Sequence, residues 1–156
     1  MQENVSKVRL STRGIKIAPA LSTSAYAAGE SVGGIQTLTD ACRPDNVGEL
    51  VSLLILDRAN QKAPLDILIF DSNPTAATAA DSSTFAWSTA DAQLVAHIAI
   101  ATGDYVSVAS EAIAHKTSLG FVITSVGSAN LYAVVVTTGT PTYAVNSLQF
   151  NWGFKA

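Results

Sequence analysis

Glycine, proline, asparagine or aspartate interrupts this sequence every eight to fifteen residues, and the pieces between are rich in Val, Ile, Thr and aromatic side chains. That spacing and composition predict an all-β sandwich or barrel. The clearest strand is the last. Leu148, Phe150, Trp152 and Phe154 alternate there with Gln149, Asn151, Gly153 and Lys155, giving one apolar and one polar face. These four side chains, with Phe70 at the end of an earlier apolar run, are the expected core.

Shorter alternations occur at Val8 and Leu10 between Lys7, Arg9 and Ser11, at Ile15 and Ile17 around Lys16, and at Val106 and Val108 around Ser107. They read as half-buried strands. Residues 50–56, 65–70 and 131–136 are instead nearly continuous apolar runs, whose strands need cover on both faces. An antiparallel sandwich normally wets its outer faces, so a lid is required. The long connection 72–90 and a neighbouring subunit are both able to supply it. Pro74 opens that connection, and Phe85 and Trp87 near its end imply that it is pinned down. STADAQLV (88–95) reads as a short helix with Ser88 or Thr89 as N-cap and Asp91 near its positive end.

Strands are expected near 5–11, 14–21, 32–39, 47–57, 64–71, 95–101, 104–110, 119–125, 130–138 and 146–155. The fold expected is a jelly-roll-like antiparallel β-sandwich with one short helix. A basic N-terminal arm or strand, residues 1–18, precedes a single sandwich domain at 19–156.

Charged residues are only 13% of the chain, while 16 serines and 15 threonines supply much of the polar surface. Few charges weaken the self-repulsion that keeps proteins apart, which points toward assembly. Nine cations against twelve anions argue against a phosphate-binding surface, and no nucleic-acid partner is expected. The balance is uneven: Lys7, Arg9, Arg13 and Lys16 face only Glu3 in the first sixteen residues, leaving five cations and eleven anions, a net −6, for the rest. A basic arm on an acidic body suits docking onto an acidic neighbour, which could be another copy of the chain. No apolar run reaches the roughly eighteen residues that span a bilayer, and the N-terminus lacks the apolar stretch of a secretory signal. No membrane partner and no export are expected, and the lone Cys42 fits synthesis in a reducing cytosol.

Chemistry-bearing patterns are sparse. His97 and His115 come without HExxH or paired-Cys spacing, and no GxSxG elbow occurs. His97 reads as a packed or edge residue, His115 as an exposed loop residue and Cys42 as a structural thiol. Asp71, Asn73 and Thr75 lack the glycine and closing glutamate of a calcium loop, and Asn73–Pro74 is more simply a turn. In GESVGGI (29–35) the glycines precede a strand, so positive φ angles or a bulge are expected rather than a phosphate cradle. No catalytic residue, metal or cofactor is expected. A carbohydrate- or receptor-binding module is the alternative, with Tyr26, Trp87, Tyr105 and Tyr143 as candidate platforms.

Three segments, TSAYAAGESVGGI (23–35), GELVSLLILDRANQKAPLDILIFDSNPT (48–75) and the pair SANLYAVVVTTGTPTYA (128–144) with SLQFNWGF (147–154), together resemble a group of small structural proteins from tailed bacteriophages. Glu30 stands where that pattern usually has Asp. The resemblance covers residues 20–155 and leaves the first sixteen outside it. It implies a virion component made in the bacterial host cytoplasm: a capsid decoration or cement protein of jelly-roll type. Such a protein assembles as a homotrimer on the head, bridges major capsid protein subunits and carries no catalytic residues.

Overall fold

A computed structural model describes residues 12–75, 77–88 and 92–155. Ten strands run through them: β1 (Thr12–Ile17), β2 (Ser31–Leu38), β3 (Val47–Asp57), β4 (Leu65–Phe70), β5 (Leu94–Ile100), β6 (Tyr105–Val108), β7 (Glu111–Lys116), β8 (Phe121–Thr124), β9 (Leu131–Thr137) and β10 (Leu148–Lys155). Their pairings are nested: β1 with β10, β2 with β9, β3 with β7 and β8, β4 with β5, all antiparallel. The chain is thus one long hairpin, with β6 an added strand beside β7. Rolling the hairpin up brings β10 against β3 and β9 against β4. The result is a first sheet in the order β1-β10-β3-β7-β6, with β8 also on β3, and a second sheet β2-β9-β4-β5. A nested antiparallel hairpin rolled into two facing sheets in this way makes a jelly roll.

The inner faces of both sheets close the main core. Leu148, Phe150, Trp152 and Phe154 are at most 1% exposed and meet Leu50, Leu53 and Ile55 of β3 and the inward side chains of β4, β5 and β9. The run LVSLLIL points both Leu50 and Leu53 inward because the register shifts at Gly153/Phe154, which absorbs one residue of β3. A Cβ at Gly153 would collide with the Ser52 hydroxyl there. Gly29, Gly33 and Gly34 have φ of 89°, 80° and 70°, and a register break lies between Ser31 and Ile35, as GESVGGI predicts.

Phe70 belongs to a second cluster on the outer face of the second sheet, with Val134 and Val136. The connection 71–93 lies over it, contributing Ala79 and Ala92 with Phe85 and Trp87 alongside. Trp87 packs edge-on against Phe70 with centroids 5.3 Å apart, and its Nε1 donates to the Ala92 carbonyl at 3.0 Å. The same connection is stitched to β2 by Ser31 N–Ser83 O and Ser82 N–Ser31 O, both 2.9 Å. The chain itself is therefore the lid for runs 65–70 and 131–136.

Two local expectations fail. Leu94 and Val95 open β5, with Leu94 in register with Phe70, so the helix over 88–95 does not form at its described C-terminal end; Thr89, Ala90 and Asp91 lie outside the described residues. Sheet pairing outweighs the local capping signal there. The only helical piece among the described residues is a 3-10 turn at Thr102–Asp104. His115 sits in strand β7 opposite Leu54, exposed but not in a loop. The expected strand at 5–11 lies outside the described residues, and the first described strand is β1.

Candidate interaction surface

Cross-strand register defines the outer face of the first sheet. One row runs Lys16, Asn151, Leu54, His115, and the next runs Gln149, Leu56, Ile113, Val106. Leu54, Leu56 and Ile113 are half-buried, and neither packed cluster among the described residues includes them, unlike the outer face of the second sheet. Val106 of β6 continues this apolar row to the sheet edge, and Val108, opposite Glu111, shares its face; they are 64% and 53% exposed. Val122 of β8 and Val126 just beyond it are 75% and 59% exposed, and Val47, paired with Thr124 of β8, is exposed as well. Four of the eight large exposed hydrophobics among the described residues, Val47, Val106, Val108 and Val122, therefore fall on strands of this sheet. The valine pair on β6 adjoins the half-buried Leu56 and Ile113, which makes a continuous apolar patch rather than the scattered apolar residues any surface carries.

At the opposite end of the same face the row Thr12, Lys155, Glu49, Val122 crosses the sheet. Arg43, Val47, Glu49, Val122 and Lys155 line a shallow groove there. Of the four cations expected to act together, Lys7 and Arg9 lie outside the described residues. Arg13 and Lys16 are on β1 but on opposite faces, three residues apart. Arg13 pairs with Asp40 at 3.1 Å, whereas Lys16 stands in the outer row. The basic segment is thus continuous with an integral strand of the sheet.

The proposed aromatic platforms are not surface features. Tyr26, Tyr105 and Tyr143 are at most 7% exposed, and Trp87 holds the lid. The Tyr26 hydroxyl donates to Asp81 Oδ1 at 2.7 Å, and the same carboxylate accepts from the Ser22 and Gly33 amides at 2.6 Å each. Asp81 thereby ties the lid to the segments before and within β2, a role with no sequence motif to announce it. Burial, then the bond to Asp81, pushes the Tyr26 phenol far above its usual value; burial does the same to Tyr105 and Tyr143. The hydroxyls of Tyr105 and Tyr143 find no hydrogen-bond partner among the described residues.

Asp57 is fully buried at the end of β3 and accepts from the Ala59 and Lys62 amides at 3.1 and 2.8 Å, which fixes the turn that follows. Burial raises its carboxyl despite those amides. The Cys42 thiol is buried beside Gly48 and raised by that burial, the environment of a packed side chain. His97 Nε2 lies 2.7 Å from Asp66 Oδ1 on the outer face of edge strand β5, both side chains about half-exposed. Among the described residues, no three His, Cys, Asp or Glu side chains gather as a metal-ligand set.

No family model and no curated protein matches the chain. Among solved structures it is similar to a chain of "Desmodium yellow mottle tymovirus", over 94% of this chain and 80% of that one, at 10% identity and a TM-score of 0.27. The nested strand pairing, not that loose overlay, establishes the roll.

Proposed function

We propose that this protein is a non-enzymatic virion structural protein, a capsid decoration or cement protein that assembles as a homotrimer and binds the major capsid protein of a tailed bacteriophage. The observation that carries the reading is the apolar outer face of the first sheet, whose Leu54, Leu56 and Ile113 belong to neither packed cluster among the described residues, in a roll whose other outer face is packed against its own connection. A surface of Leu54, Leu56, Ile113, Val106 and Val108 is stabilised by contact with another protein, since each fully buried Val or Leu side chain contributes about 1.5–3 kcal/mol. The low charge of the chain and the ordered likeness of residues 20–155 to phage structural proteins support the same reading. Jelly rolls also serve as lectin modules, so the fold alone does not select among functions. With three of the four candidate aromatic rings buried, the carbohydrate-binding alternative loses its platform.

Light scattering on the purified chain tests the self-assembly. A trimer mass is expected, and a strict monomer at micromolar concentration would count against it. Imaging heads assembled with and without the protein tests the location, with extra density on the outer capsid surface as the expected result. Density on the tail alone would replace decoration by a tail role.

A further inference from the structure

We propose that the open edge of β6 receives residues 5–11 of a second copy as an added strand, so that each subunit lends its N-terminal arm to the next. This rests on the self-assembly reading above and assigns it an interface. Three observations lead here.

First, β6 is an edge without charge, proline or bulge, guarded by its shortness alone. Natural sheets guard exposed edges with charges, prolines, bulges or a covering loop. Among the outermost strands, β1 carries Arg13 and Lys16, β2 has the Gly33–Gly34 bulge with residues 82–85 bonded beside it, and β5 carries His97. β6 reads Tyr-Val-Ser-Val and, like the other four-residue strand β8 (Phe-Val-Ile-Thr, paired only with β3), has shortness as its one guard; on β6 Val106 and Val108 stand exposed at the rim and prolong the half-buried row of Leu56 and Ile113.

Second, the arm has the matching pattern. In VSKVRLS (5–11), Val8 and Leu10 fall on one side of an extended chain and Lys7 and Arg9 on the other. Seven residues span about 23 Å when extended, enough to run the whole length of β6. Backbone pairing supplies the affinity in such strand addition, and side chains on alternate positions supply the match. Val8 and Leu10 would extend the apolar row Leu56, Ile113, Val106.

Third, the geometry excludes the same subunit. Ser11 is bonded to Thr12 at the start of β1, and β1 and β6 are opposite edges of one sheet, four inter-strand steps or roughly 19 Å apart. Residues 5–11 cannot follow on from β1 and also lie along β6 of their own chain. β1 begins at Thr12 beside Lys155, which pairs with Glu49 at 3.9 Å, so that end of the sheet offers the arm's cations no unpaired carboxylate from Glu49. β6 is flanked by Asp104 and Glu111, whose contacts with Lys116 at 2.8 Å and Arg58 at 3.8 Å leave that end neutral rather than cationic. An arm passed from each subunit to the next is a head-to-tail contact, which closes into a ring when the rotation permits.

Light scattering and sedimentation of four chains decide the matter: the full chain, a chain lacking residues 1–11, Val106→Lys/Val108→Lys, and the control Val145→Lys, which alters an exposed valine on another connection. The deletion and the double variant should each weaken self-association by roughly 30-fold or more, the loss of an interface hot spot, and the control should not. A Val8→Cys/Val106→Cys chain should link into covalent oligomers on oxidation. If both altered chains assemble like the full one, the arm-to-edge contact is wrong while self-assembly stands. If the full chain is itself monomeric, the assembly reading fails and takes this inference with it. A disulfide closing within one chain would overturn the exchange between copies. Should the double variant fail to fold, the deletion and the cysteine pair still give the answer.

Discussion

Two tyrosines in ring contact have opposite hydrogen-bonding fates. Tyr26 and Tyr143 meet edge to face with centroids 5.9 Å apart, yet only Tyr26 has an acceptor, the Asp81 carboxylate. Tyr26→Phe removes a hydrogen bond to a charged group and should cost about 1.5–3 kcal/mol. Tyr143→Phe removes a buried hydroxyl without a partner among the described residues and should raise stability by about 1 kcal/mol. Urea denaturation of the two variants measures both signs, and a loss in both would show that the Tyr143 hydroxyl is satisfied after all. The same burial shapes the alkaline limb of stability. Unfolded tyrosine titrates near 10, and the folded phenols of Tyr26, Tyr105 and Tyr143 are held above that. Above about pH 10 the unfolded chain therefore releases protons that the folded chain retains, so stability falls as pH rises. Phenolate absorbance from these three should appear together with loss of the near-ultraviolet dichroism; a separate, earlier step would mean the rings are accessible.

At the scale of elements, the connection 71–93 behaves as a third layer with its own small core. Trp87→Ala removes the contact with Phe70 and the bond to Ala92, and for a half-buried ring the loss should be about 2 kcal/mol, below the 3–5 kcal/mol of a fully buried aromatic. Amide exchange should quicken across 77–88 while β3 and β10 keep their protection, because local opening follows the loss of local packing. Equal acceleration in β10 would mean the lid and the roll unfold as one unit. Much of this architecture was readable in advance. The period-two pattern of β10, the bounds of β3 and the need for cover over 65–70 and 131–136 all follow from side-chain alternation. What covers those runs did not, since apolar residues on both faces demand a lid without naming it. β7 was hidden because its inward residues are Ala112 and Ala114, small side chains without β preference. In the surface itself, the alternation of Val106 and Val108 predicts a half-buried strand, whereas both valines are exposed because β6 is the outermost strand of its sheet, a position no one-dimensional pattern gives. The tyrosines resembled ligand platforms because an amphipathic ring suits either a surface or an interior with a polar handle.

For the whole molecule, the distribution of charge separates two contributions to assembly. The chain carries −3 in total, with four cations in the first sixteen residues and −6 on the remainder. An arm laid on a neighbour as proposed above would be held by two forces with different salt responses. Apolar contact of Val8 and Leu10 with the β6 rim is insensitive to screening, whereas attraction between Lys7, Arg9 and an acidic body is not. At about 0.1 M salt the screening length is ~10 Å, and at 1 M it shrinks to ~3 Å. Lys7→Glu/Arg9→Glu should therefore assemble more weakly than the native chain in dilute buffer and approach it near 1 M salt. The deficit of Val106→Lys/Val108→Lys should persist at every salt concentration, because burying an ammonium against apolar neighbours costs desolvation that added ions do not relieve. Sedimentation across a salt series distinguishes the two. Equal salt dependence for both variants would mean that charge, not the apolar rim, governs how these rolls come together.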